Sequence, residues 1–154
     1  MEFITGPKAP NCFLCEAANG DPSTDRERYV LARSGQALAL LNRYPYASGH
    51  TLVAPKAHLA SLEDLPPEVA CDLTALSQRC LRVLKSELHP DGFNLGVNLG
   101  KVAGAGVADH VHQHLVPRWE GDTNFMPLLS ETRVLNEHLS VTYDKLRAAF
   151  QRFS

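Results

Sequence analysis

Asp109-His110-Val111-His112-Gln113-His114-Leu115-Val116-Pro117-Arg118 is the stretch that decides how this chain reads. It sets imidazoles at i, i+2 and i+4 among β-branched and apolar residues. Alternate side chains of an extended strand share one face. His110, His112 and His114 are therefore expected to project together, with Val111, Gln113 and Leu115 on the other side. Three of the seven histidines fall within five residues. Neutral imidazole is a nucleophile, a proton carrier and a metal ligand near neutral pH. One zinc held by all three fits poorly. Positions i and i+4 of a strand lie ~13 Å apart, whereas Zn–N bonds are only ~2.0–2.1 Å. The three histidines are expected to divide their labour.

Upstream, Gly100-Lys101-Val102-Ala103-Gly104-Ala105-Gly106 leads into the histidine stretch. It matches neither a Walker A loop nor a dinucleotide fingerprint. Its backbone N–H groups, at Gly104 and Gly106 among others, could instead face a phosphate held by His112. Further upstream, Phe93–Asn98 reads as a strand, and Tyr29–Ala32 and Ala37–Asn42 as a hairpin around Ser34-Gly35-Gln36. His50–Pro55 is a third strand. Pro66-Pro67 opens a long helix over roughly residues 67–88, with Val69, Leu73, Leu76, Cys80, Leu84 and Leu88 at steps of three and four. Pro90-Asp91-Gly92 closes it.

Downstream, Trp119–Phe125 reads as a polar turn and Met126-Pro127-Leu128-Leu129 as a short strand. Asn136 is a candidate cap for a last helix over 137–151, with Leu139, Leu146 and Phe150 inward. Residues 1–11 read as a loose arm. Neighbouring strands with two segregated helices imply an α+β fold on an antiparallel sheet. His89 and His138, at helix ends, are assigned no functional role.

The chain has 154 residues, enough for one domain with an ordinary core. Apolar residues are 44%, charged residues 21%, and net charge is −2. No Lys/Arg block is present, which argues against a nonspecific nucleic-acid binder. No apolar run approaches the ~20 residues of a membrane span. Met1-Glu2-Phe3-Ile4-Thr5-Gly6 lacks the marks of a signal peptide. A reduced, cytoplasmic setting is the expectation. There the Cys12-x-x-Cys15 pair points to metal or redox chemistry and is half a zinc site by spacing. Cys71 and Cys80 are expected to be buried small apolar residues. His58 and His110 are available to complete a Cys2His2 set, tying the arm to the sheet.

His110-Val111-His112-Gln113-His114-Leu115-Val116 resembles the His-φ-His-φ-His-φ-φ pattern of the histidine triad (HIT) superfamily of nucleotide hydrolases and transferases. Leu41–Val53 resembles that family's nucleotide-binding strand pair, and Pro55-Lys56-Ala57-His58 matches as well. The matches run in order over about residues 12–125. The segment Pro117–Met126 and the last helix resemble a narrower prokaryotic group related to diadenosine tetraphosphate hydrolases and phosphorylases. The resemblance implies one HIT domain over 1–154: an arm (1–11), a core (12–125) and a C-terminal strand and helix extension (126–154). It implies about five antiparallel strands, a long helix after the third, a C-terminal helix and a homodimer.

The resemblance also implies residue roles. His112 matches the nucleophile that attacks the α-phosphorus to give a nucleotidyl-histidine, a form of covalent catalysis open to histidine. His114 matches the residue that touches phosphate and assists the leaving group. His50 matches the histidine that supports the active-site strand. Asn42 matches the residue that holds the ribose hydroxyls, and Asn98 an amide near the scissile phosphate. Cys12, Cys15, His58 and His110 match the ligands of a structural zinc, one per chain. Mg2+ is expected only with the nucleotide substrate.

This chain departs from the family in two places. Ala103-Gly104-Ala105-Gly106 replaces the usual Ala-Gly-Gln-Ser/Thr and is one residue longer, so phosphate contact falls to backbone N–H groups or elsewhere. Gln113 replaces an apolar residue and is expected to meet a partner subunit or a polar pocket. The implied reaction is cleavage at the α-phosphate of a nucleoside 5′-phosphate derivative, with diadenosine polyphosphates as substrate. The rivals are a phosphorylase using inorganic phosphate, a nucleotide-binding regulator with residual activity, and a zinc-dependent hydrolase. Products formed with and without phosphate separate the first rival. Loss of stability before activity on chelation excludes the last.

Overall fold

The computed structural model describes residues 12–122 and 137–153. The 1–11 arm, the Met126–Leu129 strand and the Asn136 cap lie outside the described residues. In chain order the elements are α1 (Phe13–Asn19), β1 (Val30–Arg33), β2 (Ala37–Leu41), β3 (Thr51–Pro55), α2 (Pro67–Leu88), β4 (Gly92–Val97), β5 (Gln113–Arg118) and α3 (Leu139–Arg152). Short 3-10 turns cover Pro22–Thr24, Leu62–Asp64 and Lys101–Ala103. The strands form one sheet in the order β1-β2-β3-β5-β4. Every neighbouring pair is antiparallel. The expected α+β architecture, five strands with a long middle helix and a C-terminal helix, is the one observed.

The sheet is covered on both faces, which explains why β2 reads as an unbroken apolar run, Ala37-Leu38-Ala39-Leu40-Leu41. Ala37, Ala39 and Leu41 join Leu31, Val53 and Leu115 against α2 and α3. Leu38 and Leu40 join Val30, Leu52 and Ala54 against α1. α2 offers Val69, Leu73, Leu76, Cys80, Val83 and Leu84, an amphipathic stripe that runs one position wider than the sequence suggests. Cys71 is exposed rather than buried, because it falls outside that stripe. Gln113 points to the helix face, where its side chain lies 2.7 Å from the buried Ser77 hydroxyl. Its polar partner is thus within the chain.

The helix ends use histidines that the sequence left without a role. His89 closes α2 in the left-handed region at φ 48°. His138, not Asn136, is the N-cap of α3, and its side chain accepts from the Ser140 N–H. α3 also covers the β1 edge. The Tyr143 hydroxyl and the Arg147 guanidinium donate to the Val30 and Leu31 carbonyls. Such groups would otherwise template pairing with another strand.

Parity fixes the rest. His114 pairs across the ladder with Leu52 on one side and Gly96 on the other. Leu52 faces α1, so His114 faces α1 as well. The chemistry-bearing histidines therefore sit on the face away from the two long helices.

Candidate functional site

The expected strand of three histidines begins later than its pattern suggests. β5 starts at Gln113, so only His114 lies in the ladder, while His110 and His112 lead into it. The three imidazoles go to two neighbouring sites, His110 with the thiols and His58, His112 and His114 beside His50.

The first site contains His110. Its ring is fully buried, and burial pushes its pKa down to about 4 against the opposing hydrogen bond to Pro55. Nε2–H donates to the Pro55 carbonyl at 2.8 Å. Nδ1 is then a lone pair. It lies 3.4 Å from the Sγ of both Cys12 and Cys15 and 3.2 Å from His58 Nδ1. Cys15 Sγ is 3.2 Å from His58 Nδ1. All four donor atoms lie within 4.8 Å of one another.

Cys12 and Cys15 reach this point because they bracket the first turn of α1. Both are buried. Cys12 occupies the N-cap position but makes no capping hydrogen bond, since its thiol turns toward the cluster. Tetrahedral zinc with Zn–S of ~2.3 Å and Zn–N of ~2.0–2.1 Å separates S and N ligands by roughly 3.3–3.6 Å. The cluster's separations of 3.2–3.4 Å come close to that spacing, and with that donor set it is compatible with a zinc site.

The second site contains His112, His114 and His50. His112 Nδ1–H donates to the His110 carbonyl at 2.9 Å, which leaves Nε2 as a lone pair. The tautomers of the other two follow from one backbone donor. The Tyr46 N–H donates to His50 Nδ1 at 3.0 Å. Neutral His50 must then carry its proton on Nε2, which lies 3.0 Å from His114 Nδ1. His114 in turn carries its proton on Nε2. That atom is buried and has no hydrogen-bond partner among the described residues. Burial, and secondarily the charge of His112, hold the His114 pKa below its usual value, so the ring stays neutral. The His112 and His114 rings are 5.0 Å apart. A lone pair and an N–H donor therefore stand side by side.

Tyr46 is the residue the sequence reading passed over. Besides fixing His50, its half-exposed ring stacks on His114 with centroids 6.1 Å apart and planes at 9°. Its key contact is made by the backbone, so side-chain chemistry carried no signal for it.

The remaining expected residues border this site. The Asn42 N–H donates to the His50 carbonyl at 2.9 Å. Its side chain accepts from Tyr44 N–H and sits 3.4 Å from His50 Nδ1. Asn98 follows the last β4–β5 pair, Val97 with Gln113. It thus continues β4 as His112 continues β5. Its amide donates to the Gly104 carbonyl at 3.4 Å. Gly104 turns the loop at φ 87°, and Gly106 is exposed with open space where a Cβ would sit.

Gly49 aims His50. Its φ of 77° lies in the left-handed region, and an added Cβ would run into Leu88 Cδ1. Gly49→Ala is expected to lower stability by roughly 1–3 kcal/mol, the usual cost of overpacking, read by denaturant unfolding.

The sequence model of the HIT domain matches residues 24–121. The chain belongs to the HIT domain family. A Mycobacterium tuberculosis (strain CDC 1551 / Oshkosh) protein named AP-4-A phosphorylase is 40% identical over 129 residues, covering 84% of this chain. The match spans 66% of that relative, just under two thirds of its length. Among solved structures, a zinc-bound histidine triad family protein from Mycobacterium smegmatis is 34% identical with a TM-score of 0.72, covering 92% of this chain and 94% of its own. A hypothetical histidine triad nucleotide-binding protein from Sulfolobus tokodaii is 27% identical with a TM-score of 0.70, covering 92% and 91%. The HIT resemblance read from the histidine pattern is thereby established for this chain. No helix among the described residues is long and apolar enough to cross a membrane.

Proposed function

We propose that this HIT chain is a nucleotide-processing enzyme that cleaves diadenosine polyphosphates through a nucleotidyl-histidine formed on His112. The observation that carries this is the pair of complementary tautomers. His112 offers an Nε2 lone pair because its other nitrogen is spent on the His110 carbonyl. His114 offers an Nε2–H because its other nitrogen is spent on His50.

In this reading His112 Nε2 attacks the α-phosphorus and a P–N bond forms. The bond from that phosphorus to the bridging oxygen breaks. The leaving oxygen departs as a polyphosphate oxyanion that accepts a hydrogen bond from the His114 Nε2–H, and His50 holds His114 in the required tautomer. Asn98 continues β4 opposite His112 and holds the Gly104 carbonyl, so its amide and the loop's backbone N–H groups can meet phosphate oxygens. An acceptor then attacks the phosphorus, breaks the P–N bond and frees His112.

Inorganic phosphate is the acceptor favoured by the 40% identical relative, which is named a phosphorylase. Product analysis tests this. With diadenosine tetraphosphate, phosphorolysis yields ADP and ATP, whereas hydrolysis yields AMP and ATP. ADP formation that depends on added phosphate supports the first. AMP and ATP at the same rate with and without phosphate support hydrolysis. No turnover of any dinucleotide, with binding retained, supports a regulator.

The four cluster residues would hold one zinc. Two thiolates and two neutral imidazoles close a tetrahedral site and leave no position for a zinc-bound water, so the ion would organise the chain and not activate a nucleophile. A homodimer is part of the same reading. Among the described residues β4 is a sheet edge, and Leu95, Leu99 and Val102 are exposed on and just beyond it.

Asn42 lies at the His50 end of the site and can both donate and accept. Asn42→Ala is expected to raise KM for ribonucleotides ~3–10-fold, as for one lost hydrogen bond. It should also narrow the preference over 2′-deoxy analogues. An unchanged ribo/deoxy ratio removes Asn42 from sugar recognition.

A further inference from the structure

Away from the histidines, the β1 edge of the sheet carries a second concentration of charge. β1 lies three strand spacings from β5, ~14 Å at ~4.8 Å each. A cleft of about 270 Å3 opens there, between the Pro22–Thr24 turn, β1, α2 and α3. Its lining includes Arg33, Arg79 and Arg147, with Phe150 and Gln151 beside them. Asp25 is the one carboxylate among the lining residues. Guanidinium does not lose its charge in a protein, and desolvating a cation is costly unless an anion faces it.

The three guanidiniums are engaged to different degrees. Asp25 is buried, and both of its oxygens face Arg33. The closest of these contacts, from Nη2, is 2.6 Å. Arg33 also donates to the Ala17 and Ala18 carbonyls, which occupies most of its N–H groups. Arg79 is fixed over the Phe150 ring, 5.4 Å from the centroid, and donates to the Phe150 carbonyl at 2.8 Å. Arg147 is different. Its Nη1 donates to the Leu31 carbonyl at 2.6 Å. Its Nη2 stands 3.7 Å from Asp25 Oδ2, too far for a hydrogen bond. Asp25 cannot come closer, because Arg33 already holds that carboxylate. Among the described residues, nothing accepts from Arg147 Nε or Nη2 within hydrogen-bond distance. Gln151, four residues on and so on the same helix face, is exposed beside it.

We propose that this cleft binds a small phosphoryl anion, seated on Arg147 and held in the field of Arg33 and Arg79. The guanidinium fork offers paired N–H donors that match two oxygens of a phosphoryl group. A dianion offsets the excess of guanidinium over carboxylate in the lining. The volume falls below the ~300–1,000 Å3 of pockets that bury a drug-sized ligand. The cleft therefore takes a phosphate ion or the end of a phosphate tail, not a whole dinucleotide. An anion there joins α3 to the β1 edge from the side that Leu31 and Asp25 leave open. The histidines face α1 across the sheet, so the proposal stands apart from any reading of His112.

The test is a titration of 15N-labelled full-length protein with inorganic phosphate and, separately, with ADP. Sodium chloride at matched ionic strength is the control. Backbone amide and arginine Nε–H signals locate the ligand. Phosphate is expected to move the Arg147 Nε–H and the amides of Leu31, Arg147 and Gln151 saturably, where chloride does not. Movement of the same signals by ADP marks the end of a nucleotide's phosphate tail as an occupant. Movement by phosphate alone marks the free ion. Arg147→Gln should weaken binding ~10–100-fold, the scale of one charge-assisted hydrogen bond. Because Arg147 also caps the Leu31 carbonyl, Gln151→Glu serves as the second variant. It removes no contact of the fold and sets a like charge at the rim. Binding should weaken at least ~5-fold, the scale of one unit charge at about 4 Å in water, with the melting point in chloride unchanged. Equal affinity in Gln151→Glu and wild type overturns the proposal. So does movement that never saturates or that chloride reproduces. Saturable movement confined to Asn98 and Gly104–Gly106 also overturns it, since the anion then binds only beside the histidines.

Discussion

His112→Asn is expected to leave the fold intact and to cut turnover by at least ~10³, the scale of losing a nucleophile that works as a unit with its neighbours. Asn is the sharper replacement than Ala. Its amide can place a donor where Nδ1–H now meets the His110 carbonyl, so that buried oxygen keeps a partner. What Asn lacks is anything corresponding to the Nε2 lone pair. The variant therefore separates holding the site together from doing the chemistry. Steady-state turnover of diadenosine tetraphosphate, alongside a melting curve, measures both. Wild-type protein quenched during turnover should yield a nucleotidylated peptide containing His112, and the Asn variant should yield none. Near-normal turnover in a folded variant would sink the assignment. Equal loss of nucleotide binding would move His112 from covalent chemistry to substrate recognition.

The sheet, the long helix and the division of the histidines were legible because each rests on periodicity. Val69, Leu73, Leu76, Cys80 and Leu84 are all buried, as their spacing requires. Strand length against Zn–N bond length indicated only that the three histidines divide their labour; the grouping of His110 with Cys12, Cys15 and His58 came from the Cys-x-x-Cys spacing and the family resemblance. Boundaries and polar details were less legible. β5 begins at Gln113 because the ladder ends where His112 turns to the His110 carbonyl, and no side-chain pattern records that bond. The α1 helix has only seven residues, too short to be stable alone, so it depends on Leu14, Cys15 and Ala17 being buried against the sheet. Cys71 appeared equivalent to Cys80 by composition but lies off the buried stripe. The family matches named every residue of the cluster. They did not reveal that one residue, His110, joins it to the second site.

Removal of the metal is expected to lower the melting temperature by ~8–16 °C. An ion present at ~1,000 times its dissociation constant stabilises the folded state by about 4 kcal/mol, and each kcal/mol moves the midpoint of a domain this size by ~2–4 °C. The structural reason is local. Cys12, Cys15 and His110 are buried at 4%, 5% and 0% exposure. Without a cation these donor atoms, 3.2–3.4 Å apart with His58, have only thiol S–H and imidazole N–H protons to share among themselves. α1 would then be held by its apolar contacts and by the Arg33 guanidinium, which donates to the Ala17 and Ala18 carbonyls. Metal analysis of protein purified without chelator should find about one zinc per chain. Cys12→Ser with Cys15→Ser should find none and should melt in the lower range whether or not zinc is added. At low temperature that double variant should remain folded and retain slow turnover, because zinc in a closed four-ligand site organises the chain without entering the reaction. Complete loss of turnover in the folded variant would point instead to a zinc-dependent hydrolase, with the ion part of the chemistry. Metal-free wild-type protein that melts where the loaded protein does would remove zinc from the fold altogether.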